Sequence, residues 1–325
     1  MKLASKKSNS KDGSLIVVSI DNSRYLEAPT DFTSLIKAIE SWDDALKVLN
    51  ELSIKVNKGE GKSLENIELL APLPRTYSWL DGSAFIQHVI LVRKARGAEP
   101  PEDLYDVPLM YQGVSDNLLS CNSDIEVADE AYGIDFEGEI AVVVDDVPMG
   151  VTAEQATKHI KLLLLMNDVS LRNLIPRELA TGFGFFHGKP ASSFAPFAVT
   201  PDELSNSWKD SRLHLPLYSW LNGLEYGKPN ASEMYFSFAD LISHAAKTRH
   251  LSAGTIIGSG TISNKDESVG SSCLAEKRML EKINSGSINT PFMKFGDRIE
   301  MEVFDERGHS VFGRINQIVK KYGAK

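Results

Sequence analysis

The stretch from Gly133 to Val144, Gly-Ile-Asp-Phe-Glu-Gly-Glu-Ile-Ala-Val-Val-Val, constrains this chain more than any other. Ile140 to Val144 is an unbroken apolar, β-branched-rich run, the pattern of a strand buried on both faces. Directly before it, Asp135, Glu137 and Glu139 occupy every second position. A strand puts such residues on one face, roughly 7 Å apart. Like charges cannot enter a core uncancelled, because burial penalises each ionised carboxylate and each neighbour adds to the penalty. Hard carboxylate oxygens are what Mg²⁺ or Ca²⁺ bind, so a divalent cation is one canceller. A rim strand with a solvated acidic face is the other. The segment alone leaves both open.

Composition removes several function classes. A chain of 325 residues can bury a large core and carry a smaller second unit. With 42% hydrophobic and 24% charged residues it is neither disordered nor fibrous. A net charge of −9, with no basic run, argues against nucleic acid as the main partner. The two cysteines, Cys121 and Cys273, are far apart and make neither a disulfide framework nor a zinc spacing. The N-terminal segment lacks the apolar stretch of a secretion signal, and no apolar run reaches the length of a membrane span. The expectation is a soluble, cytoplasmic protein with no membrane partner.

Along the chain, residues 1 to 28 read as a hairpin with turns at Lys11-Asp-Gly13 and Asp21-Asn-Ser23. Thr33 to Leu52 reads as one helix, with Leu35, Ile36, Ile39, Trp42, Leu46 and Leu49 at helical spacing. Gly59 to Ser63 reads as a loop. A domain boundary is expected near residue 70, before the extended Ala71-Pro-Leu-Pro74, giving units 1–70 and 71–325. Thr152-Ala-Glu-Gln155 matches a capping box, and Ser237 an N-cap for a helix over 238–247. Asn222-Gly223 turns a hairpin, and Arg298–Phe304 with His309–Val319 forms another around Asp305 to Gly308. The apolar run Leu162 to Met166 ends abruptly at Asn167-Asp-Val-Ser-Leu-Arg172. That is the place for functional groups at a strand end, or equally for a helix N-cap. The glycine-rich segment Gly182 to Pro190 holds Lys189 but has neither P-loop nor Rossmann spacing. Gly254 to Asn264 is a small-residue loop that lets backbone approach a ligand closely.

Four of these segments together resemble the fumarylacetoacetate hydrolase family: Asp135 to Val143, Asn167 to Arg172, Gly188-Lys189, and Gly258-Ser-Gly-Thr261-Ile-Ser263. They occur in the family's order, and the likeness spans about residue 71 to the C-terminus. The resemblance implies an α+β, mostly β fold: a mixed β-roll or sandwich catalytic domain behind a small N-terminal α+β domain. It implies that Glu137, Glu139 and Asp168 bind a divalent metal, with Asp135 a neighbour. In the hydrolase branch an aspartate seven residues before the catalytic histidine is a further ligand, and Asp81 and His88 reproduce that interval. Mg²⁺ or Ca²⁺ are the ions implied, with Mn²⁺ a further candidate.

By the same resemblance His88 is the general base, oriented by Glu276, which sits about one residue out of the family register. Arg172 and Lys189 resemble cations that stabilise oxyanion and departing enolate, and Tyr111 and Thr261 resemble substrate-contacting positions. His88 as a satisfied core histidine and Lys189 as an ordinary salt-bridge partner remain the alternatives. Two positions depart from the pattern: Ile175 stands where the hydrolase has glutamine, and Val114 where it has arginine. The activity implied is hydrolysis of a C–C bond in a β-diketo acid, fumarylacetoacetate or an acylpyruvate relative, in aromatic-acid breakdown, by a homodimer. A lyase on the same site, hydrating a 2-oxo-pentenoate or decarboxylating oxaloacetate, is the second reading. A metal-stabilised scaffold is the third.

Overall fold

A computed structural model of the chain describes residues 1–95 and 99–323; the remainder of the expected 71–325 unit lies outside the described residues. The fold is α+β and mostly β, as the sequence implied. An eleven-stranded mixed sheet is its backbone. Its middle is Gly138–Val144, antiparallel to Ile160–Asn167 on one side and to Ile256–Gly258 on the other. Trp79–Gly82 then runs parallel to Ile256–Gly258, and Met110–Gln112 closes that edge.

Of the three alternating acids only Glu139 lies on this central strand. Asp135 belongs to Ile134–Asp135, paired with Ser170–Leu171 in a separate two-stranded sheet, and Glu137 lies between the two. Ile140 to Val144 is buried on both faces, which explains its unbroken apolar run. Ala141 and Val143 face one core, with Leu162, Leu164, Leu35, Trp42 and Leu49 from the helices. Ile140, Val142 and Val144 face the other, with Leu163, Leu165, Leu217, Ile299 and Met301. The latter three belong to a five-stranded sheet packed beneath the first. Each such side chain contributes about 1.5–3 kcal/mol on burial, so the strand is anchored from both sides. Lys2–Lys6 pairs with Ala198–Val199, so the N-terminal strands extend the same large sheet.

Several expectations change in detail. The helix expected over 33–52 is two helices, Leu35–Glu40 and Trp42–Asn57, broken at Ser41. Asp43 and Asp44 open the second, where carboxylates favour the positive end of a helix. Residues 1 to 28 form three strands rather than two, the third being Arg24–Glu27. Lys62–Ser63, expected in a loop, pairs with that third strand. No helix starts at Asn167–Ser170: the strand runs through Asn167, a short pairing follows at Ser170–Leu171, and the next helix begins at Ile175. The N-cap alternative therefore fails. The capping box at Thr152 forms, and Ser237 caps its helix, Phe238–Ala245, where Asp240 completes a second box that the sequence gave only as an N-cap. Asn222 and Gly223, both at positive φ, turn their hairpin as expected. No helix among the described residues is long and apolar enough to cross a membrane.

Candidate active site

Strand register brings distant carboxylates together. Asp81 lies beside Gly258 on one neighbour and opposite Tyr111 on the other. Glu139 opens the central strand opposite Met166, and Asp168 follows the end of that partner strand. One oxygen from each of Asp81, Glu139 and Asp168 lies within 4.8 Å of the others. The small residues of the 254–264 loop have a steric reason here. A β-carbon on Gly258 would sit 2.5 Å from Asp81 Oδ1 and 2.3 Å from the Trp79 ring. Gly260, at φ +75°, donates its N–H to Asp81 Oδ1 at 3.0 Å.

The three carboxylates are not equally supported. Asp168 accepts from Tyr111 Oη at 2.5 Å, Lys189 Nζ at 2.6 Å and Ser192 Oγ at 2.7 Å. Glu139 is fully buried, and among the described residues neither of its carboxylate oxygens has a hydrogen-bond partner. Burial, with Asp81 and Asp168 beside it, pushes its carboxyl well above the usual range. Burial and Asp168 likewise push Asp81 up to about 8. Orphaned carboxylate oxygens facing two further acids make a donor set that a hard divalent cation would satisfy. The residues present therefore suit such an ion.

Glu137 stands apart from this trio. It accepts from Arg172 Nη2 at 2.5 Å and from Lys189 Nζ. Burial would raise its carboxyl, but Arg172 and Lys189 outweigh burial and hold it below the usual range. Lys189, for which burial alone would favour the neutral amine, is kept charged by Asp168 and Glu137. Lys189 thus bridges the trio to Glu137.

The second half of the site comes from two helices packed on each other, Ile86–Ala95 and Leu274–Ser285. His88 Nδ1 lies 3.0 Å from Glu276 Oε2, and Glu276 is buried. The register offset in sequence is thus no obstacle to the pairing. Asp135, which sequence reasoning placed merely near the metal, has a definite task. Its carboxylate accepts the N–H groups of Leu274 and Ala275 at 2.7 and 2.9 Å, and Arg172 Nε at 2.8 Å. It therefore fixes both the start of the helix carrying Glu276 and the orientation of Arg172.

Sequence reasoning missed Ser192, which carries no motif, and Asn167 as a brace. Asn167 Oδ1 accepts from Glu137 N, and its Nδ2 donates to Gln317 Oε1, both at 3.0 Å. A pocket of about 430 Å³ opens onto the ensemble, and Asp81, His88, Tyr111, Arg172, Lys189 and Thr261 all line it.

Comparisons with known proteins place the chain among relatives of one family. Residues 78–320 match the family model described as Fumarylacetoacetate (FAA) hydrolase C-terminal. Residues 1–75 match Fumarylacetoacetase N-terminal domain 2. The chain is similar to the oxaloacetate tautomerase YisK of Bacillus subtilis, 26% identical over 289 residues covering 86% of each protein. It is also similar to a 2,4-didehydro-3-deoxy-L-rhamnonate hydrolase of Sphingomonas sp., 25% identical over 67% of this chain and 75% of that one. Among solved structures, maleylpyruvate hydrolase from Sphingobium sp. SYK-6, in complex with manganese(II) and pyruvate, covers 99% of both chains. Its TM-score is 0.65 at 15% identity, a likeness of fold.

Proposed function

The chain belongs to the fumarylacetoacetate hydrolase family, and on that premise we propose that it hydrolyses a C–C bond in a β-diketo acid of the acylpyruvate or fumarylacetoacetate type. The observation that carries this reading is the His88–Glu276 pair, 3.0 Å apart, with His88 lining the same pocket as Asp81 of the three-carboxylate cluster. Asp81, Glu139 and Asp168 would hold the divalent ion, while Glu137, also expected as a ligand, is engaged by Arg172 and Lys189. When bound, that ion supplies Lewis acidity toward the oxo and enol oxygens of the substrate. Mg²⁺ and Ca²⁺ suit the donor set, and the manganese of the maleylpyruvate hydrolase fold relative makes Mn²⁺ the third ion to try.

The protein residues then divide the work. Glu276 holds His88 through Nδ1, which leaves Nε2 to take a proton from water. The water oxygen bonds to the distal carbonyl carbon, and the bond from that carbon to the central methylene breaks. One carboxylic acid, which releases its proton to solvent, and one oxo-acid enolate result, the latter from a 2-oxo acid for an acylpyruvate and from a 3-oxo acid for fumarylacetoacetate. The proton on His88 returns to the enolate carbon, so one water is consumed and no redox partner is needed. Arg172 uses two of its five donors on Asp135 and Glu137. Its remaining donors, and the third N–H of Lys189, serve the developing oxyanion; such donors typically contribute on the order of 3 kcal/mol each.

A tautomerase that moves a proton between enol oxygen and carbon is the second reading, favoured by the Bacillus subtilis relative. One experiment separates the two. Stripped protein reloaded with Mn²⁺, Mg²⁺ or Ca²⁺ is assayed for cleavage of acetylpyruvate and fumarylacetoacetate and for enol–keto exchange of oxaloacetate, alongside His88→Ala. Diketone cleavage that falls 10²–10⁴-fold in His88→Ala supports hydrolysis, the range expected for losing a general base. Exchange without cleavage moves the assignment to the tautomerase.

A further inference from the structure

We infer that the substrate's distal end is an apolar tail rather than a second carboxylate, an inference that rests on the diketo-acid reading above. The pocket is chemically two-sided. Its inner end, at the strand termini, carries Asp81, Glu137, Arg172 and Lys189. Moving outward along either flanking helix, the lining turns apolar within one turn. On Ile86–Ala95, His88 is followed by Val89 and then Val92, four residues on and about 6 Å along the axis. On the other side Arg172 is followed by Ile175 and Leu179, one turn apart on Ile175–Thr181. Phe185 closes the gap, its ring edge-on to Tyr111 with centroids 5.0 Å apart.

Charge accounting points the same way. Arg172 and Lys189 are already ion-paired with Asp135, Glu137 and Asp168, so neither is a spare counter-ion for a distal carboxylate. Arg93, in the last turn of its helix, also lines the pocket and has no carboxylate partner among the described residues, only a 3.4 Å hydrogen bond to the neutral carbonyl of Glu99. It is the lining cation whose pull on a distal carboxylate would compete with the apolar wall. A carboxylate at the tail would be desolvated against valine, isoleucine and phenylalanine before reaching it. Conversely, Leu109 and Leu179 are 40% and 46% exposed, apolar surface on the pocket wall that an alkyl or aryl tail would cover. Ile175, the position that departs from the family pattern, is therefore a specificity residue.

The test is a binding series that does not depend on turnover. Dissociation constants of N-alkyl oxamates, from methyl to hexyl, and of N-(carboxyalkyl) oxamates of matched length are measured by calorimetry on the full Mn²⁺-loaded chain. The same preparations are assayed for acetylpyruvate cleavage. Affinity should rise about threefold to fourfold per methylene until the wall is covered. The carboxylate-tailed compounds should bind at least tenfold more weakly than their alkyl counterparts. Leu179→Gln, at a half-exposed position, should flatten the slope for the longer tails. A slope of zero, or tighter binding of the carboxylate tails, overturns the inference even if acetylpyruvate is cleaved. A rising slope without any cleavage keeps it and removes the hydrolase reading instead. No affinity for any oxamate removes both.

Discussion

Replacing Glu139 by glutamine isolates the carboxylate of the cluster that has no hydrogen-bond partner among the described residues. Glu139 is fully buried, both oxygens lack a hydrogen-bond donor, and burial with Asp81 and Asp168 beside it favours the neutral acid. In metal-stripped protein burial and the two neighbouring acids disfavour the charged side chain, and a neutral amide of the same shape should change stability by no more than about 1 kcal/mol. Loaded protein behaves differently. At a thousandfold excess over the dissociation constant, an ion that binds only the folded state adds about 4 kcal/mol. For a chain of 325 residues the usual unfolding entropy per residue converts that to a Tm rise of roughly 6 °C. Wild type should show that rise with Mn²⁺, and Glu139→Gln should lose most of it. The assay is differential scanning fluorimetry of both stripped proteins across a Mn²⁺ titration. Two results would refute the reasoning. A stripped variant weaker by about 3–5 kcal/mol would mean that an ionised Glu139 is paired within the cluster. Equal metal-induced rises would mean that the ion sits elsewhere.

The same cluster fixes a pH dependence. Asp81, ordinarily at 3.8, is pushed up to about 8 in the folded chain, so between these values the folded state holds a proton that the unfolded state has released. Stability of the stripped protein should therefore fall as pH rises from 5 to 8, with Asp81 contributing about 1.4 kcal/mol per unit at most and Glu139, whose carboxyl is raised as well, adding to the fall. Urea denaturation at both pH values checks it, and a rise over that window would contradict the sign. Gly258→Ala should weaken Mn²⁺ binding 10–100-fold, because its β-carbon displaces Asp81 or Trp79; a metal titration reads this directly. Asp135→Asn leaves Arg172 partly unpaired and loosens the helix carrying Glu276, at a cost of about 3 kcal/mol in denaturant. Unchanged stability would deny it that role.

The acidic strand shows how far sequence reaches. Alternation predicted Asp135, Glu137 and Glu139 on one face of one strand, which holds only Glu139, and the apolar run behind them required burial on both sides, which the two cores supply. The spacing from Asp81 to His88 also survives, since a strand, a short connection and the first turn of a helix fill it. Local chemistry sufficed at the turns as well: Asn222-Gly223, the capping box at Thr152 and the N-cap at Ser237 depend only on neighbouring residues.

What the chain order could not decide is which of three identical-looking carboxylates does what. Asp135 turns to a helix start and Arg172, Glu137 to two cations, and Glu139 to nothing but two other acids. Those assignments depend on Leu274, Lys189 and Asp81, which come from other parts of the chain and meet the strand only through sheet register and helix packing. Sequence by itself determined that the apolar run Ile140 to Val144 would be buried on both faces, because periodicity is a local property, and it left open whether the acids before it would be buried or solvated. Only the tertiary structure decided which acid is cancelled by a neighbour and which is left for an ion, because Coulomb interactions follow distance in space and not along the chain.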